Sequence, residues 1–369
     1  MNSIHPLLDL FRNAGPQSFR TLRKVLVRAH KRRSSFNLLN SFNSFNASIA
    51  LLLFAALSGS ICLGADSAAP LAAEEPIVVP DSKGGFDYLQ VDEPLRRLLA
   101  NHTGNNTLDV FELDSGKLIK HVPTGKAQGV AVDTKADKYF VSVSREKLVV
   151  IINRQTLEKI GEVKLTGPAD AIALDPKNGC LYVGHDDANE VWVVNGQSQS
   201  IVATISIPEG PEYVLYDPAS DRIFQNIKSN DSLLVIDPGS NTIKERWPTA
   251  PAKRPHGLAF DGSTHRLFCA GANGKLAVID SNSGKVLTSV DIANGVDQIA
   301  FDAMKKRVYC ASSTGVISVI EETAEGAASL GNVKTAPGAK TITVDPKTHA
   351  VWIAYADKEH SYVRKLAPQ

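Results

Sequence analysis

The sequence predicts an all-β protein: a seven-bladed β-propeller of four-stranded antiparallel blades, the last blade closed by the N-terminal strand. Three observations carry this. A short hydrophobic strand ending in aspartate recurs at Asp92, Asp133, Asp175, Asp217, Asp261, Asp302 and Asp345, with separations of 41, 42, 42, 44, 41 and 43 residues. Each unit holds four strands parted by turn-forming residues. No segment after residue 65 sustains a 3.6-residue apolar period. Even repetition of a four-strand unit at this period is the sequence signature of propeller blades.

Residues 1–65 read as a signal peptide ahead of that repeat. Eight basic side chains and one acid, Asp9, precede Ala47–Leu63, the one long uncharged apolar run, which leads into Leu63-Gly64-Ala65. A basic region, an apolar stretch and small residues describe a secretory signal. Arg32-Arg33 is followed by Ser34-Ser35 rather than the hydrophobic pair of a twin-arginine signal, and Ile61 before Cys62 does not suit a lipid anchor. If uncleaved, the 17-residue run can reach across a thin bilayer and act as an anchor; membrane contact is expected only through this segment. Either way the expected location is periplasmic or secreted. Residues 66–74 read as a linker, and 75–369 as the propeller.

The net charge of +1 hides an asymmetry. Beyond Ala65 there are 32 basic and 38 acidic groups, a net of −6. An acidic body disfavours nucleic acid as a partner. The 43% apolar composition supports a large core and excludes global disorder.

Within the third unit the strands are expected at Ala171–Leu174, Cys180–Val183, Glu190–Val194 and Ile201–Ile207, with Asp175-Pro176-Lys177-Asn178-Gly179 as the first turn. Seven residues after the anchors stand Leu99, Phe140, Tyr182, Phe224, Phe268, Tyr309 and Trp352, expected to fill the space between neighbouring sheets. The seventh unit has only three strands, Thr341–Val344, Ala350–Ala354 and Ser361–Leu366. Pro76-Ile77-Val78-Val79-Pro80 matches the missing fourth, so the N-terminal strand is expected to close the ring. A closed ring needs no partner for stability, and a monomer is expected.

The pattern Leu-Asp-Pro-x-x-x-x-Leu-Tyr-Val at Leu174–Val183, with Val-Ile-Asp at Val235–Asp237 and Val278–Asp280, resembles the YVTN-type (YncE-like) β-propeller repeat family over about Glu75 to Ala367. The resemblance implies an extracytoplasmic propeller and no particular reaction. Two places depart from the pattern: Leu99 lacks the aromatic, and Ser144-Arg145-Glu146-Lys147 is a charged loop where Asn or Gly is expected.

Five residues before each anchor stand Asp87, Gln128, Asp170, Glu212, His256, Asp297 and Lys340, all polar and four of them carboxylates. Entering the innermost strands, they are expected to ring one axial mouth, with His102 and His185 in equivalent loops on the same face. Such a ring suits a binding or scaffold propeller that presents a polar, acidic mouth to a small ligand, a cation or a protein. The alternative is a metal-dependent, lactonase-like hydrolase, with Asp87, Asp170, Glu212, His256 and Asp297 holding a divalent cation such as calcium. Its likeness to gluconolactonase-type propellers is one of place and ligand type only. Crowded carboxylates there raise one another's pKa unless Lys340 or a cation compensates.

Other chemistry lacks its signatures. There is no H-E-x-x-H, G-x-S-x-G, P-loop or C-x-x-C-H, so no haem is expected. With only Trp192, Trp247 and Trp352, the tryptophan docking motifs of quinoprotein propellers are missing and no PQQ is expected. Cys180, Cys269 and Cys310 are expected to be reduced core residues, and His121, His265 and His349 to be solvated.

Overall fold

The computed structural model describes residues 69–186, 188–207 and 210–369; the stretch read as a signal peptide and Cys62 lie outside the described residues. Six four-stranded antiparallel sheets and one sheet completed by two short N-terminal strands form seven blades, with no helix among the described residues. The innermost strands are Leu89–Asp92, Ala127–Asp133, Ala169–Asp175, Pro211–Asp217, Pro255–Asp261, Val296–Asp302 and Thr341–Val344. Blade 3 continues through Cys180–His185, Glu190–Asn195 and Ser200–Ser206, within two residues of the expected bounds.

Each sheet buries its faces only against its neighbours. Among the described residues seven apolar clusters occupy the seven junctions. Leu99 packs with Val130 and Val141 between blades 1 and 2. Tyr182 packs with Val214 and Ile223 between blades 3 and 4. Trp352 packs with Leu89 and Phe111 across the closing junction of blades 7 and 1. All seven residues at this repeat position are at most 1% exposed. A buried aromatic ring removes about 150–250 Å² from water, worth roughly 4–6 kcal/mol at about 25 cal/mol/Å². A strand hydrogen bond contributes only about 1 kcal/mol net, so the wedges between blades, more than the ladders, hold the ring.

The recurring aspartate does two jobs. It ends the innermost strand and accepts backbone N–H groups of the following turn, as Asp133 does from Lys135 and Ala136 at 2.9 and 2.8 Å. Four residues later the chain adopts positive φ in every blade: at Arg96, Asp137, Gly179, Asp221, His265, Lys306 and His349. Only blade 3 uses glycine there. In three blades that fourth residue is an Arg, Lys or His side chain that reaches back to the preceding blade's aspartate: Arg96 to Asp345 at 2.6 Å, Lys306 to Asp261, and His349 to Asp302 at 3.0 Å. His349, expected to be solvated, is thus an inter-blade contact. Asp92 is met instead by Arg154 of blade 2, bidentate at 2.7 Å, and by the Tyr139 hydroxyl at 2.5 Å.

Closure uses two N-terminal strands. Ile77–Val79 pairs with Ser361–Val363 as expected, and Leu71–Ala73, inside the stretch read as a linker, pairs with Leu366–Pro368. A buried cluster then ties the chain entering blade 1. Ser361 Oγ donates to Gly84 O at 2.8 Å, while His102 Nε2 lies 3.0 Å from Gly84 O and 3.1 Å from Ser361 Oγ. His102 Nδ1 meets Asp109 at 2.7 Å, and His121 spans Asp109 and Pro80 O at 2.7 and 3.0 Å. Ser361, His102 and Asp109 mimic a catalytic triad, but each is 0% exposed; their role is to lock the ring. His121, expected to be solvated, belongs to that lock. Gly84 (φ +87°) lies so close to Gly104 that a Cβ there would stand 2.8 Å from the Gly104 Cα.

Removing one partner of a buried ion pair costs about 3–5 kcal/mol, because the other charge is left uncompensated. Arg154→Met is therefore expected to lower stability by about that amount in urea denaturation, and adding Asp92→Asn to recover a large part of the loss.

Candidate functional site at the axial mouth

Gln128, Asp170, Glu212, His256 and Asp297 are each the second residue of an innermost strand, Lys340 directly precedes its strand, and Asp87 lies two residues before its own. In blades 2 to 6 the ladder slips at this point: Ala169 pairs with His185, but Ile172 pairs with Val183. Equivalent slips occur between Ala127 and Val130, Pro211 and Val214, Pro255 and Gly257, and Val296 and Ile299. One extra residue per slip is a β-bulge, which frees the site residue from strict alternation and re-aims its side chain.

Buried polar side chains pin the bulged backbone. Ser142 donates to Asp170 O, Gln225 to Glu212 O at 2.8 Å, Asn226 to His256 O at 3.0 Å, and Thr341 to Asp87 O at 2.6 Å. Sequence reasoning passed over these residues. Their signal was present: Asn101, Ser142 and Asn226 all stand nine residues after an anchor, polar in the middle of an apolar strand, and all are 0% exposed.

The ring splits into two arcs. Over blades 4 to 7 charges alternate: Lys228 Nζ lies 2.5 Å from Glu212 Oε1, and His256 Nδ1 lies 3.2 Å from Glu212 Oε2 and 3.4 Å from Asp297 Oδ1. Lys340 Nζ completes the series 2.7 Å from Asp297 Oδ2. His256 Nδ1 is aligned for a hydrogen bond with neither carboxylate, so it serves both as a charge. Burial pushes Asp297 upward, but His256 and Lys340 outweigh it and hold the carboxyl at about 2. Burial opposes the charge on His256 too, yet Asp297 and Glu212 raise it to about 9. His256 and Lys228 likewise overcome the burial of Glu212 and keep it below its ordinary range.

Over blades 1 to 3 stand Asp87, Gln128 and Asp170, and here no described cation comes within ion-pair distance of a carboxyl. Neither carboxyl has a hydrogen-bond or ion-pair partner among the described residues. Burial raises Asp87 to about 7; Lys340 and, more weakly, Lys126 pull it back, while Asp297 and Glu212 push it up. Asp170, 8% exposed, is raised well above its ordinary value by burial and then by Asp87, Glu212, Asp186 and Asp297. Gln128 Oε1 is buried without a partner. Beneath this arc Tyr88 and Tyr213, from blades 1 and 4, meet edge to face at 5.3 Å, and the space they border with Gly129, Ala171 and Gln298 is about 30 Å³, the share of one water. The mouth is thus a blind cup rather than an open channel.

The two loop histidines do not join the ring. His102 is fully buried in the closure lock. His185 stacks on Trp192 at 4.4 Å and meets Glu190 at 2.9 Å. Among the described residues no group of three or more His, Cys, Asp or Glu side chains is arranged to hold a metal ion; Lys228, His256 and Lys340 stand where a cation would face Glu212 and Asp297. Cys180, Cys269 and Cys310 are free thiols, and burial pushes Cys269 up to about 12.

Fold and mouth together define a seven-bladed β-propeller with a charged, blind axial cup. No protein-family model matches the chain, and no curated protein matches it. Among solved structures it is similar to a hydrazine synthase chain from Kuenenia stuttgartiensis (TM-score 0.67, 14% identity, 78% of this chain and 98% of that one). It is also similar to the WD40 repeats of RRP9 (TM-score 0.70, 10% identity, 82% and 99%) and to a chain of a mitotic checkpoint complex (TM-score 0.70, 11% identity, 90% and 99%). At these identities the likeness shows the fold alone. In all, 1802 chains match, and a fold shared that widely selects no activity.

A carboxyl whose folded pKa is raised stabilises the protein below its unfolded value and loses that contribution as pH climbs to the folded value. For Asp87 the window runs from about 4 to about 7. Asp87→Asn removes the ionisation penalty. Its melting temperature is expected to exceed that of the parent by a few degrees at pH 8, with the gain shrinking toward pH 5 in parallel thermal melts.

Proposed function

We propose that the protein is a binding module whose axial cup takes a small organic cation on the Asp87–Gln128–Asp170 arc. One observation carries the reading: two carboxyls, Asp170 buried and Asp87 half-buried, and a buried amide oxygen, on three adjacent blades at one repeat position, have no side-chain partner among the described residues. A primary ammonium offers three N–H donors to those three acceptors. Its charge also relieves the mutual repulsion of the carboxyls. Binding folds of this kind suit such a role, and the blind floor formed by Tyr88 and Tyr213 sets a limit on ligand length. The membership in the YVTN-type repeat family and the periplasmic or secreted location are part of the proposal; they rest on the repeat motif and on residues 1–65. No observation favours the hydrolase alternative.

Calorimetric titration with propylammonium, which stays charged across the range, tests the reading. Affinity is expected to rise from pH 6 to pH 8 with proton release from the Asp87–Asp170 pair, and Asp170→Asn is expected to weaken binding about tenfold or more. Equal affinity at both pH values, or no effect of Asp170→Asn, would count against it.

A further inference from the structure

Beside Asp87 the cup opens into a cavity of about 410 Å³ lined by Asp87, Thr103, Lys126, Gln128, Arg145 and Lys340, together with loop backbone. This is large enough for a small metabolite. Its charges are bipolar. Asp87 and Gln128 stand on the acceptor side. Lys126 and Arg145, both from blade 2 loops, stand on the other. Lys340 is already engaged by Asp297 at 2.7 Å. Lys126 Nζ forms no ion pair among the described residues, and the Arg145 guanidinium has a single long hydrogen bond, to Asn106 Oδ1 at 3.4 Å. Glu146, the nearest acid in sequence, spends a carboxylate oxygen on the Lys126 backbone N–H at 2.9 Å, which ties together the two loops that carry the cations. Two polar atoms of this cavity, Gln128 Oε1 and Thr103 Oγ1, are buried without a partner, and Gln128 is only 8% exposed. An orphaned buried polar group costs about 1–3 kcal/mol, and a ligand that satisfies it recovers that cost. Arg145 belongs to the charged loop that departs from the repeat pattern, so the cationic side is particular to this blade.

We propose that the ligand is a small amino-acid-like zwitterion, its ammonium on the Asp87–Gln128–Asp170 arc and its carboxylate between Lys126 and Arg145. This rests on the cation-binding reading above and extends it. An arginine fork and a lysine together supply the donors that a carboxylate's two oxygens accept. Lys126 forms no ion pair with a described carboxylate, yet its charge is felt at Asp87, so the two sides face one cavity that a small ligand can bridge. The Thr103 hydroxyl can donate to the carboxylate or accept from a substituent.

The test is a calorimetric comparison at pH 8 of glycine, β-alanine and γ-aminobutyrate with the alkylammonium and the carboxylate of matching length. At least one of the three is expected to bind ten times or more tighter than both of its halves. The double variant Lys126→Gln/Arg145→Gln, checked for an unchanged melting temperature, is expected to lose that advantage while binding alkylammonium somewhat tighter, since two repelling charges are gone. Zwitterions no tighter than the alkylammonium at any length, with alkylammonium binding intact, would overturn the zwitterion and leave the cation site standing. Failure of every alkylammonium to bind would overturn both. Carboxylates binding as tightly as the zwitterions would overturn the bridging and point to an anion site.

Discussion

A four-stranded blade has two apolar faces and no partner of its own, so burial is possible only against the next blade. That single constraint shapes the rest of the molecule. It demands a large side chain at one position of the second strand in every repeat, which the chain supplies as Leu99 through Trp352, each at most 1% exposed. It demands closure, because an open series would leave one face of the first and one face of the last blade in water. The N-terminal strands and the Ser361–His102–Asp109 lock provide it. It also brings the anchoring aspartate of one blade against the turn of the next, where Arg96, Arg154, Lys306 and His349 convert a local turn device into an inter-blade tie.

Closure carries a consequence for the axis. Seven copies of one strand position are brought to a single mouth, so whatever the repeat places five residues before its aspartate becomes a neighbour of its six equivalents. Four carboxylates there would be untenable together in a buried cup. Three cations, Lys228, His256 and Lys340, settle Glu212 and Asp297. Asp87 and Asp170 remain exceptions, and they are the carboxyls of the ring whose pKa is raised. Groups held at such a cost in stability are where ligand binding is expected to concentrate.

The repeat made the architecture legible because its period and its aromatic position are one-dimensional facts. The ring of seven polar residues was legible for the same reason: a fixed offset from a fixed anchor. What did not show was the bulge at the start of five innermost strands, since an inserted residue changes register without changing the spacing of the anchors. The division into two arcs was equally hidden. It depends on Lys228, which lies outside the counted position, and on distances between blades that no offset encodes. His102 shows the limit most plainly. Its repeat offset matched that of His185, but Ser361 of the last strand in the chain packs against it, and a contact between residues 102 and 361 leaves no local trace. Arg96, Lys306 and His349 could have been found, because each occupies the fifth position of an Asp-started turn held at positive φ, where a long nitrogen-bearing side chain is conspicuous.

The central claim is that charge at the mouth is settled on one arc and unsettled on the other. Carboxyl-carbon NMR titration of the folded protein measures this directly. The expected result is Asp87 titrating near 7 and Asp170 above the ordinary aspartate range, while Glu212 and Asp297 remain ionised down to the acid limb, with Asp297 near 2. The contradicting result is Asp87 and Asp170 titrating together with surface aspartates at about 4, which would show that both carboxyls are well solvated and that no cation is wanted there.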